Sequence, residues 1–171
     1  MNYRYTPILA LALFAVPAAA HVTANPSNAI AGTYFQTSFR ITHGCEDSDT
    51  VAVQIQIPEG VMSVHPQAKP GWSVKISKYK LPEPVDTGHG KMADEAVNAV
   101  SWTGGNLPAD QYDDFGVVMK LPAAKGRVLW FPVIQQCRSG ENRWVEIPAE
   151  GQSWHSLERP APFVKLATGG N

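Results

Sequence analysis

Apolar and polar side chains alternate one by one through run after run of this chain, a pattern that suits strands and that a helix cannot use. Successive strand residues point to opposite faces, so period-two alternation builds one buried and one solvated face. A helix would need its apolar positions about 3.6 residues apart. Phe35, Thr37, Phe39 and Ile41 alternate with Gln36, Ser38 and Arg40. Val51, Val53, Ile55 and Ile57 alternate with Ala52, Gln54 and Gln56, and Trp72, Val74 and Ile76 with Ser73 and Lys75. Further strands are expected at 97–102, 112–121, 128–134, 143–147 and 163–166. Pro58-Glu59-Gly60, Pro70-Gly71, Gly104-Gly105-Asn106, Lys125-Gly126 and Ser139-Gly140 read as the turns between them. The stretch 81–95 lacks the pattern and is expected to be a long loop or an irregular excursion. This punctuation predicts an all-β fold, a single β-sandwich of immunoglobulin-like or cupredoxin-like kind. Trp72, Trp102 and Trp130 fall within strand patterns and are expected in its core.

The compartment is read from the start of the chain. Arg4 precedes an apolar run, Ile8 to Val16, followed by Pro17 and Ala18-Ala19-Ala20. A charged start, a short apolar centre and small residues before a cut read as a secretory signal peptide over 1–20, removed after Ala20. The run is too short to span a bilayer, which takes roughly 20 apolar residues. Residues 21–171 are then expected as one exported domain, soluble after cleavage and periplasmic, since no linker or composition break divides them. Cleavage removes one basic residue, Arg4, from the 14 in the chain and none of the 15 acidic ones. That balance, with no basic stripe, gives no reason to expect a nucleic-acid partner. Cys45 and Cys137 suit an oxidising compartment. A disulfide is the favoured reading; a metal-binding pair is the rival, weakened by the absence of a CxxC spacing.

Cleavage after Ala20 would leave His21 as the first residue. Its free α-amine and its own imidazole Nδ1 could then chelate one metal in a six-membered ring. Two nitrogen donors are what Cu(II) prefers, and Cu(II) heads the affinity order of the first-row divalent ions. Taken alone, a polar residue at a frayed terminus explains the histidine equally well. Further donors would have to come from His43, His65, His89, His155, Asp113, Asp114, Glu46, water or backbone groups. Met62, Met92 and Met119 are soft donors but do not cluster in sequence, and packing is their simpler role. Enzyme signatures such as GxSxG, HExxH or a glycine-rich phosphate loop are missing, so no catalytic residue is expected. The neighbouring Asp113 and Asp114 would point to opposite faces of a strand and could not act as a dyad.

Beyond these residues the chain resembles the YcnI-like family of exported bacterial proteins associated with copper. The resemblance runs from His21 to about Leu166. It is carried by His21-Val22-Thr23-Ala24-Asn25-Pro26, His43-Gly44-Cys45, Ile57-Pro58-Glu59-Gly60-Val61 and Lys69-Pro70-Gly71-Trp72. Val100-Ser101-Trp102, Leu107-Pro108, Phe115-Gly116, Phe131-Pro132-Val133-Ile134-Gln135 and Trp144 continue it. The resemblance implies a β-sandwich holding one Cu(II) in a monohistidine brace, with the leading histidine at His21 and a tryptophan, Trp144, beside the metal. It further implies a copper metallochaperone rather than an enzyme, exchanging copper with a membrane copper transporter or other periplasmic copper-binding proteins. Two alternatives stand beside it. One is a copper-dependent polysaccharide oxygenase, which would need a second histidine such as His43 or His65. The other is a sandwich that binds another protein, with copper incidental.

Overall fold

The computed structural model describes residues 21–87 and 90–167. The strands are β1 (Thr23–Asn25), β2 (Asn28–Ile30), β3 (Tyr34–Ile41), β4 (Thr50–Gln56), β5 (Met62–Pro66), β6 (Ser73–Asp86), β7 (Met92–Leu107), β8 (Asp113–Lys120), β9 (Val128–Trp130), β10 (Val133–Cys137), β11 (Glu141–Trp144) and β12 (Phe163–Ala167). A single 3-10 turn, Trp154–Ser156, is the one helical piece among the described residues. One sheet runs β1-β3-β8-β5, a second β11-β10-β4-β7-β6, and a small third one β2-β12-β9. The expected leader, residues 1–20, lies outside the described residues.

The alternation explains how the two large sheets face each other. Thr37, Phe39 and Ile41 of β3 are buried, as are Phe115, Val117 and Met119 of β8. Opposite them Val53 and Ile55 of β4, Val100 and Trp102 of β7 and Val133 of β10 are equally enclosed. The layers meet through aromatic contacts: Phe39 to Phe131 at 5.2 Å between ring centroids, and Trp102 to Phe115 at 5.4 Å. Trp102 is wholly buried, and its indole N–H donates to the Gln67 carbonyl at 2.9 Å, so the polar end of the ring carries no desolvation debt. Trp72 is only partly buried against this core, and Trp130 is half-exposed on β9. The β-sandwich expected from the alternation is the observed architecture.

Two local expectations are corrected. The stretch 81–95 is not an irregular loop: β6 and β7 form a long antiparallel hairpin, with Val85 opposite Ala93 and Asp86 opposite Met92. No alternation marks it because β6 is an outer strand whose residues are nearly all exposed or half-exposed. Lys75, Lys78, Lys80, Pro82 and Pro84 along that edge discourage pairing with another chain. The second correction is Gly104-Gly105-Asn106, which is not a turn but part of β7. A Cβ at Gly105 would overlap the Trp72 indole, which lies against the bare backbone there. Gly105→Ala is therefore expected to displace Trp72 and cost about 1–3 kcal/mol of stability by overpacking, measured as a fall in the denaturant midpoint.

Charged pairs lie on either side of the β3–β8 ladder. Arg40 and Asp114, cross-strand partners in the β3–β8 register, form a two-pronged pair, with Nε to Oδ1 and Nη2 to Oδ2 both at 2.9 Å. Lys69 Nζ donates to Asp113 Oδ1 at 2.7 Å and to the Asp114 carbonyl at 3.0 Å. The adjacent aspartates thus serve different cations. Hydrogen bonding from Arg40 holds the Asp114 carboxyl below the usual carboxylate range; burial opposes this, and the Arg40 and Lys69 charges reinforce it. A carboxylate with a lowered folded pKa adds stability above its unfolded pKa and loses it as pH falls through the folded one. The stability of the native chain over Asp114→Asn should therefore be constant near neutrality and shrink once pH drops below about 4–5. Urea titrations at several pH values measure it. The effect should be modest, because both side chains are more than a third exposed.

Candidate metal centre

β1 lies at the edge of the first sheet, with Thr23 opposite Arg40 and Ala24 opposite Phe39. Val22 is buried at the inner face, which anchors the chain immediately after His21. Continuing the β1–β3 register brings His21 level with the residues just past β3, Thr42 and His43. Two indoles meet the His21 ring there. Trp144, at the end of β11, approaches edge-on at 6.3 Å between centroids, and Trp154, from the 3-10 turn, at 5.0 Å. Among the described residues, His21 Nε2 is the buried side-chain nitrogen or oxygen with no hydrogen-bond partner. The His43 ring reaches the same Trp144 indole from 6.1 Å.

A fully buried glutamine holds this end of the sandwich together. Gln135 points inward from β10, in phase with Val133 and Cys137. Its Nε2 donates to the His43 carbonyl at 2.7 Å and to Thr50 Oγ1 at 2.8 Å. Its Oε1 accepts from Trp144 Nε1 at 3.1 Å, with Asn142 Nδ2 at 3.5 Å. An indole can only donate and a carbonyl can only accept, so the amide orientation is forced. Trp144 is thus a core side chain, 5% exposed, and also one whose ring is aimed by a hydrogen bond. The disulfide Cys45–Cys137 closes the same corner, tying the segment after β3 to the end of β10. Gly44 between His43 and Cys45 is required by close approach: a Cβ would lie 2.9 Å from Ala109 and overlap the Ser48 carbonyl. His43 Nδ1 donates to the Gly44 carbonyl at 2.6 Å, placing that ring's proton on Nδ1.

The other candidate donors are scattered. His65 sits on β5, at the edge of the first sheet opposite β1. Glu46 is exposed in the turn after Cys45, and Asp113 and Asp114 are engaged by Lys69 and Arg40. Met119 is buried in the core, and Met92 is exposed on the hairpin. His89 lies outside the described residues. Among the described residues no three His, Cys, Asp or Glu side chains gather at one point. His155 is exposed and its ring meets that of Trp154 at 5.0 Å. Trp154 was not singled out from the sequence, although a lone large aromatic inside Gly151-Gln152-Ser153-Trp154-His155-Ser156 is itself a signal.

Residues 21–166 match the family model described as a domain of unknown function, DUF1775. The chain belongs to this family. Among solved structures, an uncharacterised protein from Nocardia farcinica, described as having an immunoglobulin-like fold, is 31% identical to it. The match covers 86% of this chain and 99% of that one, with a TM-score of 0.64. The seventh ScaB type I cohesin from Pseudobacteroides cellulosolvens is 8% identical over 88% of this chain and 94% of its own, with a TM-score of 0.45. That likeness is too distant to bear on function. A search of the curated proteins returned no match. The family assignment and the sandwich agree, and no helix among the described residues is long and apolar enough to cross a membrane.

Proposed function

We propose that this DUF1775 protein is an exported Cu(II)-binding protein that works as a copper metallochaperone once His21 has become its N-terminus. The observation that carries the reading is the setting of His21: an imidazole against two indoles, with Nε2 buried and without a hydrogen-bond partner. Leaving a buried polar atom unpaired costs on the order of 1–3 kcal/mol and calls for a reason. A chelate would not pair that atom, because the metal would take Nδ1 and leave the ring proton on Nε2, but it would offset the cost by binding the same ring. The ring nitrogen able to share a metal with the residue's own α-amine is Nδ1, so Nε2 is the one that can be tucked among side chains. The donor set fits Cu(II), with two nitrogens from one residue and the remaining positions left to water or backbone groups.

Indoles suit such a neighbourhood. Their π faces attract cations and their bulk limits water, while an intact N–H keeps them from ligating. The resemblance to the YcnI-like family supports His21 and Trp144, and the disulfide fits an oxidising, exported setting such as the periplasm. Copper is cargo here, received from or passed to a membrane transporter or another periplasmic copper-binding protein. Cu(II) titration of protein beginning at His21, followed by electron paramagnetic resonance, tests the reading. One nitrogen-rich site per chain is expected; no stoichiometric binding would sink it. A copper oxygenase would also place a second histidine on the metal. Peroxide-dependent cleavage of a polysaccharide by the loaded protein would favour that alternative.

A further inference from the structure

The side chain closest to His21 by ring separation is not Trp144 but Trp154, and it arrives on a loop built as a unit. Residues 147–159 leave and rejoin the sandwich at one point. Glu146 N–H donates to the Arg159 carbonyl at 3.1 Å, and Ala161 N–H to the Glu146 carbonyl at 2.8 Å. Arg159 N–H donates to Glu146 Oε2 at 2.9 Å, so side chain and backbone of one residue clasp both ends. Inside, Gln152 N–H donates to the Ala149 carbonyl and Ser156 N–H to that of Ser153, both at 3.0 Å. A compact loop with joined ends and internal bonds is an Ω-loop, a type that often carries function.

Its tip is aimed at His21. Trp154 Nε1 donates to the Ala161 carbonyl at 2.8 Å, and the ring stands edge-on to Phe163 at 5.8 Å, which together set the indole's direction. Core packing does not explain the residue: Trp154 is only half-buried, the 3-10 turn has no buried residue, and Trp154 is outside the core cluster. A cavity of about 150 Å³, bounded by Thr23, Ala24, Ser27, Trp154, Pro162 and Phe163 among others, adjoins the indole. The indole is therefore not packed on every side.

We infer that Trp154 is a positioning residue for His21: the 147–159 loop carries a second indole wall that fixes the imidazole and covers it, so it governs how fast a metal held there is exchanged. This rests on the copper reading only in its last clause. Two edge-on indoles at different distances hold the ring from two strand systems, β11 and the loop before β12. Trp144 is buried in the core against Gln135, whereas Trp154 is half-buried beside a cavity, so Trp154 is the wall that borders solvent.

The test uses protein beginning at His21, with histidine ring carbons and nitrogens labelled. In the metal-free protein, Trp154→Ala should shift or broaden the His21 ring signals while core methyl signals stay in place, and Trp154→Phe should restore them. With Cu(II) bound, Trp154→Ala should keep the nitrogen ligation seen by electron paramagnetic resonance but release copper to excess chelator about tenfold faster. His21 signals unchanged in metal-free Trp154→Ala would overturn the inference, as would unchanged release. Failure of the unmodified protein to bind Cu(II) would overturn the copper reading instead, and the metal-free signals would still decide the role of Trp154.

Discussion

A chain beginning at His21 is expected to bind one Cu(II), and the same chain with an acetyl group added to its terminal amine should bind it at least about 100-fold more weakly. The factor follows from the chelate. Outer partners of metal ligands typically account for about 10–100-fold in affinity, and here the addition removes a first ligand and breaks the ring it closes. Acetylation turns the amine into an amide nitrogen with no second amine beside it to help Cu(II) displace its proton, so it offers no lone pair of comparable basicity. His21→Ala should lose as much, by removing the imidazole instead. Neither change should alter the melting temperature of the metal-free protein by much, because His21 lies outside the core cluster and precedes β1. Competition titration against a chelator of known affinity, beside thermal melts, reads both quantities. Equal affinity in the native and acetylated chains would move copper away from the terminus.

How far the sequence announces these features depends on whether one residue or many carries the signal. Strands β3, β4 and β8 are legible because each has one buried and one solvated face, so the side-chain alternation is written out in full. The β6–β7 hairpin is legible only in part: Val74 and Ile76 alternate at its start and 97–102 reads as strand, but Val74 and Ile76 are exposed, and beyond them no β6 residue is buried, so there is no face to alternate against. Gly104-Gly105 reads as a turn locally and is strand, with Trp72, far earlier in the chain, lying against the bare backbone of Gly105. At the site, His21 is legible from the cleavage pattern, and Trp144 from the family resemblance rather than from its strand. Gln135 could have been found, since a glutamine in phase with Val133 and Cys137 must be buried and therefore must be bonded to something. Trp154 depends on the path of an Ω-loop, which side-chain periodicity does not encode.

Replacing both cysteines by serine should cost about 4–5 kcal/mol of stability, the largest loss expected from any change away from the core. The bridge joins residues 92 apart, and in the chain-entropy view a closed loop of that length restricts the unfolded chain by about this much. Against a typical total of about 5–15 kcal/mol for a natural domain, this is a large fraction. The folded arrangement around the proposed metal centre should nevertheless survive. Gly44 N–H still donates to the Ala109 carbonyl at 2.9 Å, and Gln135 still holds the His43 carbonyl and the Trp144 indole. Neither nitrogen of the proposed chelate touches the cysteines. The Cys45→Ser, Cys137→Ser protein should therefore show a much lower denaturant midpoint but native Cu(II) affinity at low temperature, where it remains folded. A loss under about 1 kcal/mol would mean that the unfolded chain is already compact enough to make the bridge redundant. A collapse of copper affinity in a protein still folded would instead make the His43–Cys45 corner part of the metal site, with Gln135 as its route to Trp144.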